Sequence, residues 1–235
     1  MSNLRAKPSG DAHVQRSPIK RARGGSIPMR KLAFAATALM FVALSAAAPA
    51  DATAPAICIG GMGAGPVSGD LQVPVGKTCD LIGTTVTGNV TVLGSLVAVR
   101  AHISGNLSGN HAESLALIDT TVGGNLLADH TTGGPNFICG STIDGNLTIQ
   151  QSSSQSYWQI GPELDGSVGA GVVTDGVGCT GVTVGLNLVF QNNLGGGDIT
   201  DNQIAGNLDC HNNTPAPTGG GNTVGGNEKG QCTGF

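Results

Sequence analysis

The sequence predicts an all-β chain built as a right-handed parallel β-helix, a solenoid of roughly 20-residue coils. Three observations carry that expectation. Glycine is abundant while aromatics and charges are scarce, one Gly-Asn template returns at a nearly fixed interval, and all six cysteines follow an export-type leader.

The chain has 235 residues and 39 glycines, of which only Gly10, Gly24 and Gly25 lie in the first 50. The remaining 185 residues therefore hold 36 glycines, close to one in five. Aromatics make up 3% and charged residues 11%, so a core of interlocking aromatic side chains is excluded. Glycine at this density also opposes long helices, because each interior glycine costs about 1 kcal/mol against alanine. Collagen is excluded because glycine does not fall at every third position.

The template is first seen as Thr85-Val86-Thr87-Gly88-Asn89-Val90-Thr91-Val92. Its asparagines fall at Asn89, Asn106, Asn125, Asn146, Asn187, Asn207 and Asn227, with intervals of 17, 19, 21, 41, 20 and 20. A unit this short cannot bury its own apolar face. Stacked units bury it against one another, which is the logic of a solenoid. Asparagines at equivalent positions are expected to stack as an amide ladder, and the glycine to supply a positive φ at the bend. Second strands are expected at Leu96–Val99 and Leu115–Ile118. The competing arrangement is an antiparallel sandwich, since Gly-Asn is also a hairpin signal. The even spacing of one apolar template favours the solenoid, and the lack of a six-residue repeat favours the right-handed form.

The doubled interval between Asn146 and Asn187 leaves one coil or two. Gly166-Ser167-Val168 is the candidate for a degenerate coil. Cys139 lies seven residues before Asn146 and Cys179 eight before Asn187. A bond between them requires neighbouring coils, because Cα atoms must approach within about 7 Å. The expectation is therefore a Cys139–Cys179 bond, with Ser152–Val177 largely a protruding loop. Cys210–Cys232 is expected to tie down the last coil and Cys58–Cys79 the first, where strand edges are exposed. No C-x-x-C pair suggests a metal.

Residues 29–50 read as a signal peptide: a basic Met29-Arg30-Lys31, an apolar stretch from Leu32 to Leu44, and Ala48-Pro49-Ala50 with cleavage expected after Ala50. Residues 1–28 form a polar, basic extension, disordered or an artefact of the start site, with Met29 the alternative start. Residues 51–235 form the single β-helix domain. They carry 14 acids against Lys77, Arg100 and Lys229, a balance that argues against nucleic acid and anionic lipid as partners. The even cysteine count fits disulfides outside the cytoplasm, in a bacterial periplasm, at the cell surface or in the medium.

These residues resemble a group of exported bacterial Gly-Asn-repeat β-helix proteins of unassigned role. The resemblance covers about Ile57 to Phe235. It is most specific in the tail from Gly206-Asn207-Leu208-Asp209-Cys210 through Thr214-Pro215-Ala216-Pro217 to Gly230-Gln231-Cys232. It implies a secreted right-handed β-helix and no defined activity. The coil pattern is also similar to that of bactofilins, from which the chain departs in its export signal and cysteines.

No catalytic residue, cofactor or metal site emerges from the sequence. Asp119, Asp129, Asp144, Asp165, Asp198, Asp201 and Asp209 fall at different coil phases, whereas a glycoside hydrolase needs two carboxylates about 5–10 Å apart. Asp198 and Asp201, three residues apart, read as a solvated turn. His102, His111, His130 and His211 share no evident phase. Thr85, Thr121, Thr142, Thr183 and Thr223 recur beside the Gly-Asn step; such a ladder orders water in ice-binding solenoids, but threonine is also a favoured strand residue. Tyr157 and Trp158 are adjacent aromatics and the candidate partner-binding residues, either displayed on the loop or folded back to cap the solenoid. The functional expectation is an exported non-enzymatic structural or interaction module that binds a glycan or a cell-surface protein. The alternatives are a polysaccharide lyase or hydrolase and a self-assembling surface protein.

Overall fold

The computed structural model describes residues 54–134, 136–162 and 179–235, and among them there is no helix. The chain winds through three sheets in strict rotation, nine strands in the first and eight in each of the others, to give about eight stacked coils. Neighbouring strands run parallel, as where Leu107–Asn110 pairs with Leu126–Asp129 and Ser95–Val99 with Ser114–Ile118. The antiparallel sandwich is excluded. The leader, together with Asp51–Thr53, lies outside the described residues, as does 163–178 with Asp165 and the Gly166–Val168 candidate coil.

The interior strands of the first sheet bury alternate residues, as their pleat requires. In the first sheet Leu71, Val90, Leu107, Leu126, Leu147, Leu188 and Leu208 are in register and buried, one per coil. The third sheet lines up Val86, Ile103, Val122, Ile143, Val184 and Ile204 opposite them. Each such side chain contributes about 1.5–3 kcal/mol by leaving water, so branched aliphatics do what aromatics do elsewhere. The two largest buried side chains, Trp158 and Phe190, sit beside Gly197, where a Cβ would lie 2.8 Å from Phe190 Cζ. A second buried cluster, Val99, Ala116, Ile118, Phe137 and Cys139, uses the other face of the second sheet.

The Gly-Asn step forms the corner from the third sheet to the first. Each asparagine donates its backbone N–H and its Nδ2 to the Oδ1 of the asparagine one coil earlier, as Asn106 does to Asn89 at 2.9 and 3.1 Å. The ladder joins all seven expected asparagines and starts one coil before them, on Asp70. The glycines of this step differ from expectation in one respect: none has a positive φ. They are needed for close approach, since a Cβ on Gly124 would lie 2.5 Å from Asn106 Oδ1 and one on Gly145 2.6 Å from Asn125 Oδ1. Where Leu186 replaces the glycine, the Asn187–Asn146 backbone bond is 3.2 Å, the longest of the series.

Left-handed turns at the other two corners fall on non-glycine residues as well as on glycines such as Gly83 and Gly140. Arg100, Asp119 and Asp201 take them between the second and third sheets; His111, His130, Gln151, Asn192 and Asn212 take them between the first and second. Histidine, asparagine and aspartate tolerate this region better than branched residues do. The three disulfides are those expected from coil spacing: Cys58–Cys79, Cys139–Cys179 and Cys210–Cys232, with Cα separations of 5.5, 5.2 and 5.4 Å. Such bonds are compatible with an extracellular or periplasmic protein.

Candidate binding corner

The doubled interval resolves into neighbouring coils, because Leu147–Gln150 pairs directly with Leu188–Gln191. The loop expected over Ser152–Val177 is corrected at its start. Trp158–Ile160 is a strand of the second sheet, held between Asn136–Cys139 and Gly197–Thr200. Trp158 is therefore fully buried, with its Nε1 donating to Ser152 Oγ at 3.1 Å. It is a core residue and not part of an exposed platform. Tyr157, the residue just before the strand, is 51% exposed.

Tyr157 belongs to a column of short loops at the corner between the first and second sheets. The elements are Thr131–Gly134, Ser152–Tyr157, Leu194–Gly196 and Thr214–Pro217, from successive coils. Their backbones interlock. Ser156 Oγ donates to Thr131 O and Gly133 O at 2.9 and 2.7 Å, Leu194 N to Ser152 O at 3.0 Å, and Thr214 N to Asn193 O at 2.8 Å. Gly195 lets the chain cross Ser156, since a Cβ there would lie 2.2 Å from Ser156 O. The same crowding places Pro215 against Gly196, whose Cβ would be 2.9 Å from Pro215 Cγ. Below the loops a buried amide ladder runs from Asn193 to Asn213 to Gln231, with backbone bonds of 3.0 and 2.8 Å. Ser152 N donates into it, to Asn193 Oδ1 at 3.0 Å.

What the corner presents to solvent is uncharged. Leu194, on the loop of the neighbouring coil, is 57% exposed, and Pro215, Thr214, Thr132, Ser154 and Gln155 are exposed on the same column of loops. These four loops carry no charged residue. An exposed ring, a flanking aliphatic and several hydroxyls and amides offer stacking and hydrogen bonds without a counter-ion.

The other candidate residues are distributed elsewhere. His111 and His130, expected to be unrelated in phase, occupy equivalent turns and stack with centroids 4.8 Å apart and planes at 7°. Asp129 lies 2.9 Å from His130 Nδ1 and Asp209 pairs with His211. Asp119 and Asp201 share a corner phase, and Asp198 lies within a strand, accepting from Thr218 Oγ1 at 3.0 Å and from Thr200 Oγ1. Among the described residues no three of His, Cys, Asp and Glu converge as a metal site. The threonines line up in register on the outer face of the third sheet, with His102 and Gln203 in the same column. A shallow trough of about 290 Å³ runs along that face past Gly185, Ala205 and Gly225.

Residues that sequence reading passed over include Asp70, Leu194, Pro215, the buried Asn193, Asn202 and Asn213, and the half-buried Asn222. The Asn-Asn pairs at 192–193 and 212–213 repeat at the coil interval and were the available signal. No family model, no curated protein and no solved structure matches this chain.

Proposed function

We propose that the chain is an exported, non-enzymatic interaction module whose corner between the first and second sheets binds a neutral glycan at a cell surface. The observation that carries this reading is the uncharged corner itself, with Tyr157 and Leu194 exposed on interlocked loops. The solenoid holds those loops on hydrogen-bonded coils, so a ligand meets a surface already arranged for it. Neutral sugars suit the site because the ring face of Tyr157 stacks on an apolar sugar face, while Thr132, Gln155 and Thr214 supply hydroxyl and amide contacts.

The test is a binding screen over neutral and anionic glycans, with Tyr157→Ala and Leu194→Ser beside the unaltered protein. Neutral glycans are expected to bind, and Tyr157→Ala to weaken binding about tenfold, the scale of one lost aromatic contact. Equal affinity in Tyr157→Ala, or turnover of the bound sugar, overturns the reading. The mass of the secreted protein tests export, with a chain beginning at Asp51 as the expected result.

A further inference from the structure

The two ends of the solenoid are built differently, and we propose that the N-terminal end is a contact surface for a second copy of this chain, joined head to head as a closed dimer. The C-terminal end is covered in part, with Val224 of its outermost third-sheet strand partly buried. Phe235 packs against the core and its carbonyl accepts from Asn222 N and Nδ2 at 2.9 and 3.3 Å, while Cys232 is buried in its bond to Cys210. At the other end, Ala56–Ile57, Gly60–Met62 and Pro66–Val67 are the outermost strands of the three sheets. Their core-facing Ala56, Met62 and Val67 are only partly buried. Around them Ile57, Ile59, Val75 and Ile82 are 54%, 63%, 71% and 59% exposed, four of the seven large hydrophobics exposed among the described residues. Open strand edges ringed by aliphatic side chains are surfaces that pair.

The occupant follows from what else could reach this end. On the export reading, which this step uses, cleavage after Ala50 leaves Asp51–Thr53 ahead of Ala54, too little chain to add a coil of about 20 residues. A second copy supplies the missing surface in full. Residues 54–83 carry only Asp70, Asp80 and Lys77, so two such ends approach with little repulsion.

Head-to-tail stacking is opposed by the amide ladder. Extending it past Asn227 needs backbone and amide donors at the first ladder position of the next copy. That position is Pro55, directly before the Ala56–Leu71 pair, and proline has neither donor. Head-to-head pairing uses the same surface twice and closes at two.

Sedimentation of the secreted protein over a range of concentrations tests this, with a mass spectrum of the same sample to read the N-terminus. A reversible monomer–dimer equilibrium is expected. Ile59→Asp should weaken it at least about tenfold, because a carboxylate would be buried without a partner. Leu186→Asp, at a half-exposed site away from either end of the solenoid, should leave it unchanged. A monomer at every concentration in a chain that begins at Asp51, growth beyond the dimer, or an unaltered dimer in Ile59→Asp overturns the proposal. A chain retaining its leader counts against export instead.

Discussion

At the scale of single residues, the coil spacing is set by how closely one corner can sit on the next. Parallel strands lie about 4.8 Å apart, and at the Gly-Asn corner the asparagine side chain and its backbone N–H share one acceptor in the coil before. That leaves no room for a Cβ on the glycine: one on Gly145 would lie 2.6 Å from Asn125 Oδ1 and 2.8 Å from Gly124 O. Gly145→Ala should therefore cost about 1–3 kcal/mol, as an overpacked methyl does, whereas Gly61→Ala, with nothing within 4 Å, should be nearly neutral. Urea unfolding of the two variants separates them. The amide ladders rank in the same way. Asn125 is exposed, so water replaces its lost bonds, and Asn125→Ala should cost about 1 kcal/mol. Asn193 is buried, donating to Ile149 O and Asn213 Oδ1 and accepting from Ser152 N. Asn193→Ala leaves those groups dry and should cost about 1–3 kcal/mol or more. Equal midpoints for Asn125→Ala and Asn193→Ala would show that the buried ladder does not carry the load assigned to it. Asp70 belongs to this scale as well. A carboxylate only accepts, and it stands where the ladder's donors have no earlier asparagine to meet.

At the scale of elements, the repeat announced the third-to-first corner and the strands beside it, because that corner imposes a chemical requirement on two consecutive residues. The corner between the first and second sheets asks only for a left-handed turn followed by a small or polar buried residue. His111-Ala112, His130-Thr131, Gln151-Ser152 and Asn192-Asn193 meet that demand in different ways, so no fixed motif marks them. Trp158 stayed undecided between display and burial for a related reason: its strand has three residues, between Tyr157 and Gly161, and its inward direction depends on pairing that only the fold supplies. The exposed corner was half legible, through Tyr157, while Leu194 and Pro215 join it only when coils stack. The cysteines were fully legible because their spacing and the coil interval together leave few bridgeable pairs. Each bridge joins adjacent coils. Replacing both Cys210 and Cys232 by serine should therefore loosen the last coil alone. Hydrogen exchange should quicken over about residues 213–235 while the coils around Leu126 and Leu147 keep their protection, as expected where each repeat touches only its neighbours. Uniform loss of protection along the solenoid would contradict that picture.

At the scale of the whole molecule, nearest-neighbour stacking and terminal bridges make opposite demands on unfolding. A solenoid held only by contacts between adjacent coils frays from its ends, whereas covalent staples at Cys58–Cys79 and Cys210–Cys232 raise the cost of opening those ends. In the chain-entropy account a bridge closing a loop of about 20 residues is worth about 3 kcal/mol, comparable to the burial of one or two aliphatic side chains. The single tryptophan provides a local reporter, since Trp158 lies in an interior coil and is fully buried. Far-ultraviolet circular dichroism reports all three sheets. In the oxidised protein the two signals should change together with denaturant, because the stapled ends open no earlier than the middle. After reduction the dichroism should begin to fall at lower denaturant than the tryptophan emission shifts, as end coils open before the coil holding Trp158. Coincident curves in both states would mean that the stack unfolds as one unit whatever its ends do. The terminal bridges would then be adding stability to every coil alike, and the difference between the two ends would matter for association only.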